Sequence, residues 1–252
     1  MEIVKFKKGK KNIYEIELTN GSILKLYDDV IVKYNLLVNK KIDNKKLEEI
    51  TDYNDSLGAY YNAINYISHK LRSEVEITKY LEKNFYSKEV IDKTINKIKK
   101  DGYLDRNLYI KSYINDDYNF TNNGPNKVKY SLIKLGFKEE EILPYLDKDY
   151  LTKAKRIIDK KVKTNTKLSN YMLKQKLTNY LVNLGYSKEM FIEYLNNINI
   201  NDKDTLIKEV NILIKKYSKK YENDKLMYFI KDKLYKKGYN MEVVGEVLNE
   251  LL

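Results

Sequence analysis

The residues best suited to chemistry or binding in this sequence are the cations between positions 150 and 186. This stretch has nine Lys and Arg residues and one acid, Asp159, so it contains eight of the chain's net twelve positive charges. A local excess of this kind predicts an acidic partner more strongly than an evenly spread charge would. The candidates for contact with that partner are Lys153, Lys155, Arg156, Lys160, Lys161, Lys163, Lys167, Lys174 and Lys176.

The spacing of five of these cations predicts one face of a helix, because they recur at intervals of 3, 4, 3 and 4 residues. They are Lys153, Arg156, Lys160, Lys163 and Lys167. A row of lysines binds phosphates or carboxylates as point charges and reads little sequence. The whole chain has only three Arg residues, so bidentate reading of bases is not expected to be its main role. The alternative interpretation is the solvated face of an amphipathic helix.

No set of residues has the spacing of a catalytic or metal site. His69 is the only histidine, there is no cysteine, and the acids at Asp116-Asp117 and Glu139–Glu141 point in different directions on a helix. We therefore expect no catalytic residue, no cofactor and no metal, and a protein that is not an enzyme. Without cysteine, a signal peptide or an apolar run of about 20 residues, we also expect a cytoplasmic protein with no membrane partner.

A short sequence motif that occurs four times indicates the helices that must position the basic residues. Its copies lie at 82–92, 133–143, 182–192 and 235–245. Each copy has Asn or Gly followed by an aromatic residue, and Asn and Gly accept the left-handed conformation that ends a helix. The predicted stops are Asn84, Gly136, Gly185 and Gly238, and the predicted N-caps after them are Ser87, Ser187 and Asn240. Their separation by 52, 49 and 53 residues predicts a tandem array of helical units.

The N-terminal segment has a different pattern. Up to Tyr27, short runs alternate apolar and polar residues with the period of a β-strand, and Asn20-Gly21 is typical of a hairpin turn. Residues 28–50 are predicted to form a helix that ends near Asp52. We therefore predict a mainly α fold of tandem three-helix repeats in a curved elongated array, with a small N-terminal β-hairpin extension. The predicted divisions are an extension with a helix at 1–52, and repeats at 53–104, 105–149, 150–200, which is the basic one, and 201–252.

Local signals support the helix boundaries within the repeats. Ser73 and Glu76 have the spacing of a capping box. Asp105 is a predicted N-cap, and Pro125 suits the first position of a helix.

Residues 64–136 resemble the RecX family, the bacterial regulators of the recombinase RecA. The matching residues are Arg72-Ser73-Glu74, Glu76-Ile77, Gly102-Tyr103-Leu104-Asp105, Tyr109, Gly124-Pro125, Leu132 and Gly136. The sequence departs from the family pattern at Arg106, Ile110 and Asp116-Asp117. We expect the motif residues to be mainly structural, and they are Arg72, Ser73, Glu74, Glu76, Leu104, Asp105, Tyr109, Gly124 and Gly136.

The resemblance implies a modulator, acting mainly as a negative regulator, that binds the RecA filament on single-stranded DNA. It would restrain ATP hydrolysis and strand exchange, and with them recombination, DNA repair and the SOS response. The implied partners are the RecA filament and single-stranded DNA, with double-stranded DNA as a further option, and the protein would be a monomer. Two alternatives remain open: a sequence-independent nucleic-acid-binding helical repeat without a RecA partner, and a scaffold for an acidic protein.

Overall fold

A computed structural model describes residues 1–10 and 12–251, and it begins with a three-stranded antiparallel sheet. The strands are β1 (Ile3–Lys8), β2 (Ile13–Leu18) and β3 (Ile23–Tyr27), in the order β1-β2-β3. In the register of the sheet, Ile16 of the central strand pairs with Phe6 and Leu24. Gly21 has a φ of +79° in the turn between β2 and β3, as the Asn-Gly signal predicts. The predicted N-terminal β extension is therefore confirmed, with three strands.

The helices that follow the sheet differ from the prediction. The helix expected over 28–50 breaks after α1 (Asp28–Lys33), and α2 begins only at Asn44, where the Asp43 carboxylate accepts the Lys46 N–H at 2.7 Å. The predicted end near Asp52 is wrong, because α2 (Asn44–His69) runs through it without interruption. No Gly or Pro lies near Asp52 to stop the helix, and buried residues continue along one face from Ile50 to Ala63.

The rest of the described chain is helical, and it contains no further strand. The elements are α3 (Glu74–Lys83), α4 (Lys88–Lys100), α5 (Arg106–Phe120), α6 (Pro125–Lys134), α7 (Glu139–Ile142), α8 (Tyr150–Lys163), α9 (Asn170–Asn183), α10 (Lys188–Asn197), α11 (Lys203–Tyr217), α12 (Asn223–Lys236) and α13 (Met241–Leu251), with a 3₁₀ turn at Leu143–Tyr145. This confirms a mainly α protein with strands confined to the N-terminus.

The chain forms two compact units, one of residues 1–111 with 134–137 and one of residues 112–133 with the chain from 138 onward. In the first unit, one apolar cluster lies under the sheet and another joins α2, α3 and α4. In the second unit, one cluster joins α8, α9 and α10, and another joins α11, α12 and α13. The division into an extension and four repeats stays a prediction.

Side chains cap several helices where the sequence predicts them. The Ser73 hydroxyl accepts the Glu76 N–H at 3.2 Å, and the Glu76 carboxylate accepts the Ser73 N–H at 2.8 Å, which completes the capping box. Ser87, Asp105 and Asn240 accept backbone N–H groups in the first turns of α4, α5 and α13. Ser187 is the exception, because its side chain makes no capping hydrogen bond to α10.

The repeated sequence motif forms the left-handed turns that end α6, α9 and α12. Gly136, Gly185 and Gly238 have φ values of +87°, +90° and +69°. In the first copy the prediction is one residue early, since Asn84 has a φ of −91° and Phe85 takes the left-handed position at +63°. Phe85 therefore corresponds to the glycines, although its side chain is 96% exposed.

The positive φ favours glycine at all three turns, and at two of them a neighbouring helix also leaves no room for a Cβ atom. A Cβ atom on Gly185 would lie 2.5 Å from the backbone nitrogen of Lys127, in the first turn of α6, and one on Gly238 would lie 2.5 Å from the Tyr171 ring of α9. At Gly136 the approach is less close, since a Cβ atom would lie 3.0 Å from a methyl group of Val75.

Backbone hydrogen bonds reinforce the contact at Gly185. The Gly124 N–H donates to the Leu184 carbonyl at 2.7 Å, and the Asn126 N–H donates to the Gly185 carbonyl at 3.1 Å. The end of α9 is thereby joined to the start of α6.

Candidate nucleic-acid interface

The basic segment is presented by α8, which has one buried and one exposed face. Asp149 caps the helix by accepting the Thr152 N–H at 2.9 Å. Ala154 and Ile158 are buried against α9 and α10. On the opposite face, Arg156, Lys160 and Lys163 of the predicted row are exposed. The amphipathic pattern therefore positions three of the five predicted row members in solvent.

The fifth member of the predicted row, Lys167, does not belong to the helix. The α8 helix ends at Lys163, and Lys167 lies in the loop before α9. The Asn165 side chain shapes this loop, since its amide donates to the Leu168 carbonyl at 2.7 Å and its oxygen accepts the Leu168 N–H at 3.1 Å. Lys167 is exposed, but the extrapolation of helical spacing to it is wrong.

Lys153 is turned toward the protein rather than toward solvent. Its ammonium donates to the Asn123 carbonyl at 3.3 Å and lies 4.8 Å from the centre of the Tyr118 ring. Burial lowers the pKa of this amine. These contacts join the start of α8 to the end of α5, so Lys153 has a positional role in the second unit.

Two further lysines of α8 lie over tyrosine rings. The Lys155 ammonium is 5.0 Å from the centre of the Tyr194 ring, and the Lys161 ammonium is 5.4 Å from that of Tyr180. The Tyr194 hydroxyl donates to the Asp159 carboxylate at 2.7 Å, and this bond raises the pKa of the phenol. The single acid of the segment therefore orients a tyrosine.

The two predicted cations of α9 have different environments. Lys174 donates to the Asn196 carbonyl at 2.8 Å, where it satisfies the C-terminal end of α10 and complements the negative end of its dipole. Lys176 is exposed. The structure thus brings the predicted cations together on one small helical bundle, with some facing solvent and others supporting the bundle.

The charge balance of residues 150–186 distinguishes this surface, since the segment has nine cations and a single acid. None of these nine cations forms an ion pair within the described residues, whereas Lys93 and Lys129 approach carboxylates of Glu89 and Glu139 at 2.7 Å. A surface with exposed, unpaired cations attracts a polyanion and releases counterions when it binds one. Within the described residues, no group of His, Cys, Asp or Glu could hold a metal ion.

The motif residues form a separate cluster at the start of α3. The Glu76 carboxylate accepts the Tyr109 hydroxyl at 2.7 Å and lies 3.5 Å from the Arg72 guanidinium. Burial acts to raise the pKa of Glu76, but hydrogen bonds from Ser73 and Tyr109 and the charge of Arg72 outweigh it, so the pKa is lowered. The Arg72 guanidinium also lies 3.9 Å from the Tyr66 ring centre.

The remaining motif residues support neighbouring backbone. Glu74 pairs with Lys99 at 2.8 Å, and Asp105 caps α5 through the Leu108 N–H at 2.9 Å. Tyr109 stacks on Phe137 at a ring distance of 5.2 Å, and Leu104 packs on the cluster of α2, α3 and α4. All of these contacts lie within the first unit, and the structural role expected for the motif residues stays a prediction.

Comparison with known proteins identifies the lineage of the chain. The family pattern for the RecX first three-helix domain matches residues 59–97. Regulatory protein RecX of Streptococcus agalactiae serotype Ia is 30% identical, with all of both chains aligned, and that of Streptococcus pyogenes serotype M2 is 28% identical over the same full coverage. The chain belongs to the RecX family.

Solved RecX structures have the same fold. A crystal structure of regulatory protein RecX, 22% identical, covers 78% of this chain with a TM-score of 0.63, and 99% of that chain is covered. RecX from Lactobacillus salivarius, 24% identical, covers 57% of this chain with a TM-score of 0.51, and 98% of that chain is covered. None of the described helices of this RecX protein is long and apolar enough to cross a membrane.

Sequence reasoning did not find the tyrosines beside α8. Tyr194 is 35 residues from Asp159, and no spacing rule links them. The one available signal was Asp159 itself, a lone acid in a basic segment.

Proposed function

We propose that this RecX protein binds the filament that RecA forms on single-stranded DNA and restrains its ATPase and strand-exchange activities. The observation that supports this is the unpaired basic face of α8, in a member of a family of regulatory proteins. A nucleoprotein filament is an extended acidic target, and an array of cations without ion-pair partners suits it.

The proposed contact residues are the nine cations of 150–186, with Arg156, Lys160 and Lys163 at the centre. Lys153, Lys155 and Lys174 would support this surface from its edges, since each already contacts a carbonyl or a tyrosine ring. The protein would act as a monomer by binding, without catalysis, and no cofactor is required for this role.

The first test is ATP hydrolysis by the cognate RecA on single-stranded DNA. We expect hydrolysis to fall when the protein is added in substoichiometric amount, because one bound molecule disturbs filament growth beyond its own contact. An unchanged rate at equimolar protein would favour the second candidate, a nucleic-acid-binding protein without a RecA partner, which the same basic face also supports.

The second test distinguishes a localised binding site on α8 from attraction by the overall positive charge of the protein. Each phosphate contact contributes close to one unit to the slope of log affinity against log salt. Changing Arg156, Lys160 and Lys163 together to Gln should reduce this slope by up to about three units and weaken binding to DNA or filament.

The matched control is the same change at Lys215, Lys219 and Lys236, in a segment where acids balance the charge. Equal losses in both triple variants would mean that charge acts only as a diffuse field. No loss in either would identify the α8 cations as a solvated helix face.

A further inference from the structure

The Tyr194 ring lies on the edge of the basic face of α8. Its hydroxyl is bound to Asp159 at 2.7 Å, and the Lys155 ammonium lies 5.0 Å from its centre. Lys155, Asp159 and Lys163 are four residues apart, so they follow one another along the same side of the helix. Lys163 is therefore the next cation along this side of α8, and it is exposed.

This tyrosine has a fixed position rather than a mobile one. Its side chain is half-buried and packs against the apolar cluster of α8, α9 and α10, while the hydroxyl is held by Asp159. An acid in a surface that attracts polyanions weakens the attraction, yet Asp159 forms no ion pair with the neighbouring cations of the described chain. Its contact is with the phenol, so it acts as a positioning residue for the ring.

A fixed aromatic ring bordered by cations has the composition of a single-strand binding site. Bases stack on such rings without sequence preference, and the neighbouring cations bind the phosphates on either side. In a duplex the base faces are already stacked and are not available to a side chain. The arrangement thus distinguishes single strands from duplexes, which lysines alone do not.

We propose that Tyr194 is a stacking platform for one base of single-stranded DNA. When the base stacks, the Lys155 ammonium moves from the face of the Tyr194 ring to the phosphate beside that base. Lys163 binds the next phosphate along the DNA strand. This proposal rests on the proposed function, because it specifies how the same basic surface contacts the DNA of the filament. Its partner is the nucleic acid and not a protein surface.

A fluorescence titration tests the contact directly, because the chain contains no tryptophan. Tyr194→Trp creates a single reporter, whose emission should be quenched when an oligothymidylate of about 16 nucleotides is added at low salt. The control is Tyr228→Trp on α12, a site that is 79% exposed and lies outside the basic segment. Quenching at both positions, or at neither despite binding, would overturn the proposal.

Affinity measurements give an independent test. Tyr194→Leu keeps the apolar packing but removes the ring, and it should weaken oligothymidylate binding about tenfold. The slope of log affinity against log salt should not change, because a neutral residue releases no counterions. Tyr194→Phe should retain most of the affinity, and thermal melting should confirm that both variants fold.

The outcomes also distinguish this proposal from the proposed function. If Tyr194→Leu binds oligothymidylate as tightly as the unaltered protein while the α8 triple variant is weakened, the stacking platform is refuted and the basic site stands. If Tyr194→Leu loses RecA-filament binding but keeps oligothymidylate binding, the ring contacts protein and the proposal is wrong. If the unaltered protein does not bind single-stranded DNA, the DNA contact fails in both proposals.

Discussion

Two charged regions of the molecule differ in whether their charged side chains have partners. They are the cluster around Glu76 in the first unit and the basic face of α8 in the second. At Glu76, one carboxylate accepts hydrogen bonds from Ser73 and Tyr109 and faces Arg72. On α8, the exposed Arg156, Lys160 and Lys163 form no ion pair within the described chain. The first arrangement fixes local geometry, and the second leaves charge available to a partner.

The most specific motif of the sequence and the proposed binding surface therefore lie in different parts of the chain. Several residues that carry the resemblance to the RecX family, namely Ser73, Glu76 and Tyr109, use their polar groups on one another, which stabilises the start of α3. The candidate interface has no distinctive motif and is recognised by its missing acids. A charge count along the chain is the basis for proposing it.

The largest expected effect is on stability, from Glu76→Leu. This change leaves the Arg72 charge and two donors without their acceptor, so we expect a loss of about 3 kcal/mol in the free energy of unfolding. Denaturant unfolding would measure it. The control Glu74→Leu removes an exposed pair with Lys99 and should cost about 1 kcal/mol or less. If both variants lost the same free energy of unfolding, the prediction would be wrong, because the Glu76 contacts would be no stronger than those of an exposed pair.

The pH dependence of stability provides a smaller effect with a defined sign. The pKa of Glu76 is lowered from its usual 4.5 in the folded protein, so its contribution is present above that value and is lost as pH falls through the folded pKa. The free energies of unfolding of the unaltered protein and of Glu76→Gln should therefore differ at about pH 7 and converge as the pH falls below the lowered pKa of Glu76. A difference that is constant across this range would show that protonation of Glu76 is not linked to folding.

The smallest effects compare two lysines of the same helix. Lys153→Gln removes an ammonium from the Asn123 carbonyl and the Tyr118 ring, and should reduce stability by about 1 kcal/mol. Lys160→Gln changes an exposed side chain and should alter stability by less than about 0.5 kcal/mol. In DNA binding, Lys160→Gln should reduce the salt slope by about one unit. If Lys153→Gln left stability unchanged, its assignment as a supporting residue would be wrong.

Much of the fold could be predicted because the ends of its helices depend on residues close to them in the sequence. The glycine stops at Gly136, Gly185 and Gly238 and the capping box at Ser73 depend on residues within a few positions of one another. The errors at Asp52 and Phe85 arise where local signals are weak. Nothing in the sequence near Asp52 stops α2, and Phe85 adopts a conformation that glycine favours.

The candidate site was less predictable because its details depend on tertiary contacts. Periodicity identifies Arg156, Lys160 and Lys163 as one face, but cannot show that Lys153 turns toward α5. The pairing of Tyr194 with Asp159 requires α10 to pack beside α8. Such contacts follow from the assembled helices and have no signature in local spacing.

The hydrogen bond from Gly124 to Leu184 has a consequence for the cooperativity of unfolding. The first N–H groups of a helix have no acceptor within that helix and usually exchange rapidly with solvent. At the start of α6, the acceptor is supplied by the end of α9, some sixty residues later in the chain. We therefore expect the Gly124 and Asn126 amides to exchange only when the start of α6 separates from the end of α9. We expect these neighbouring helices to unfold in a coupled way, and the protection of these two amides would measure the strength of that coupling.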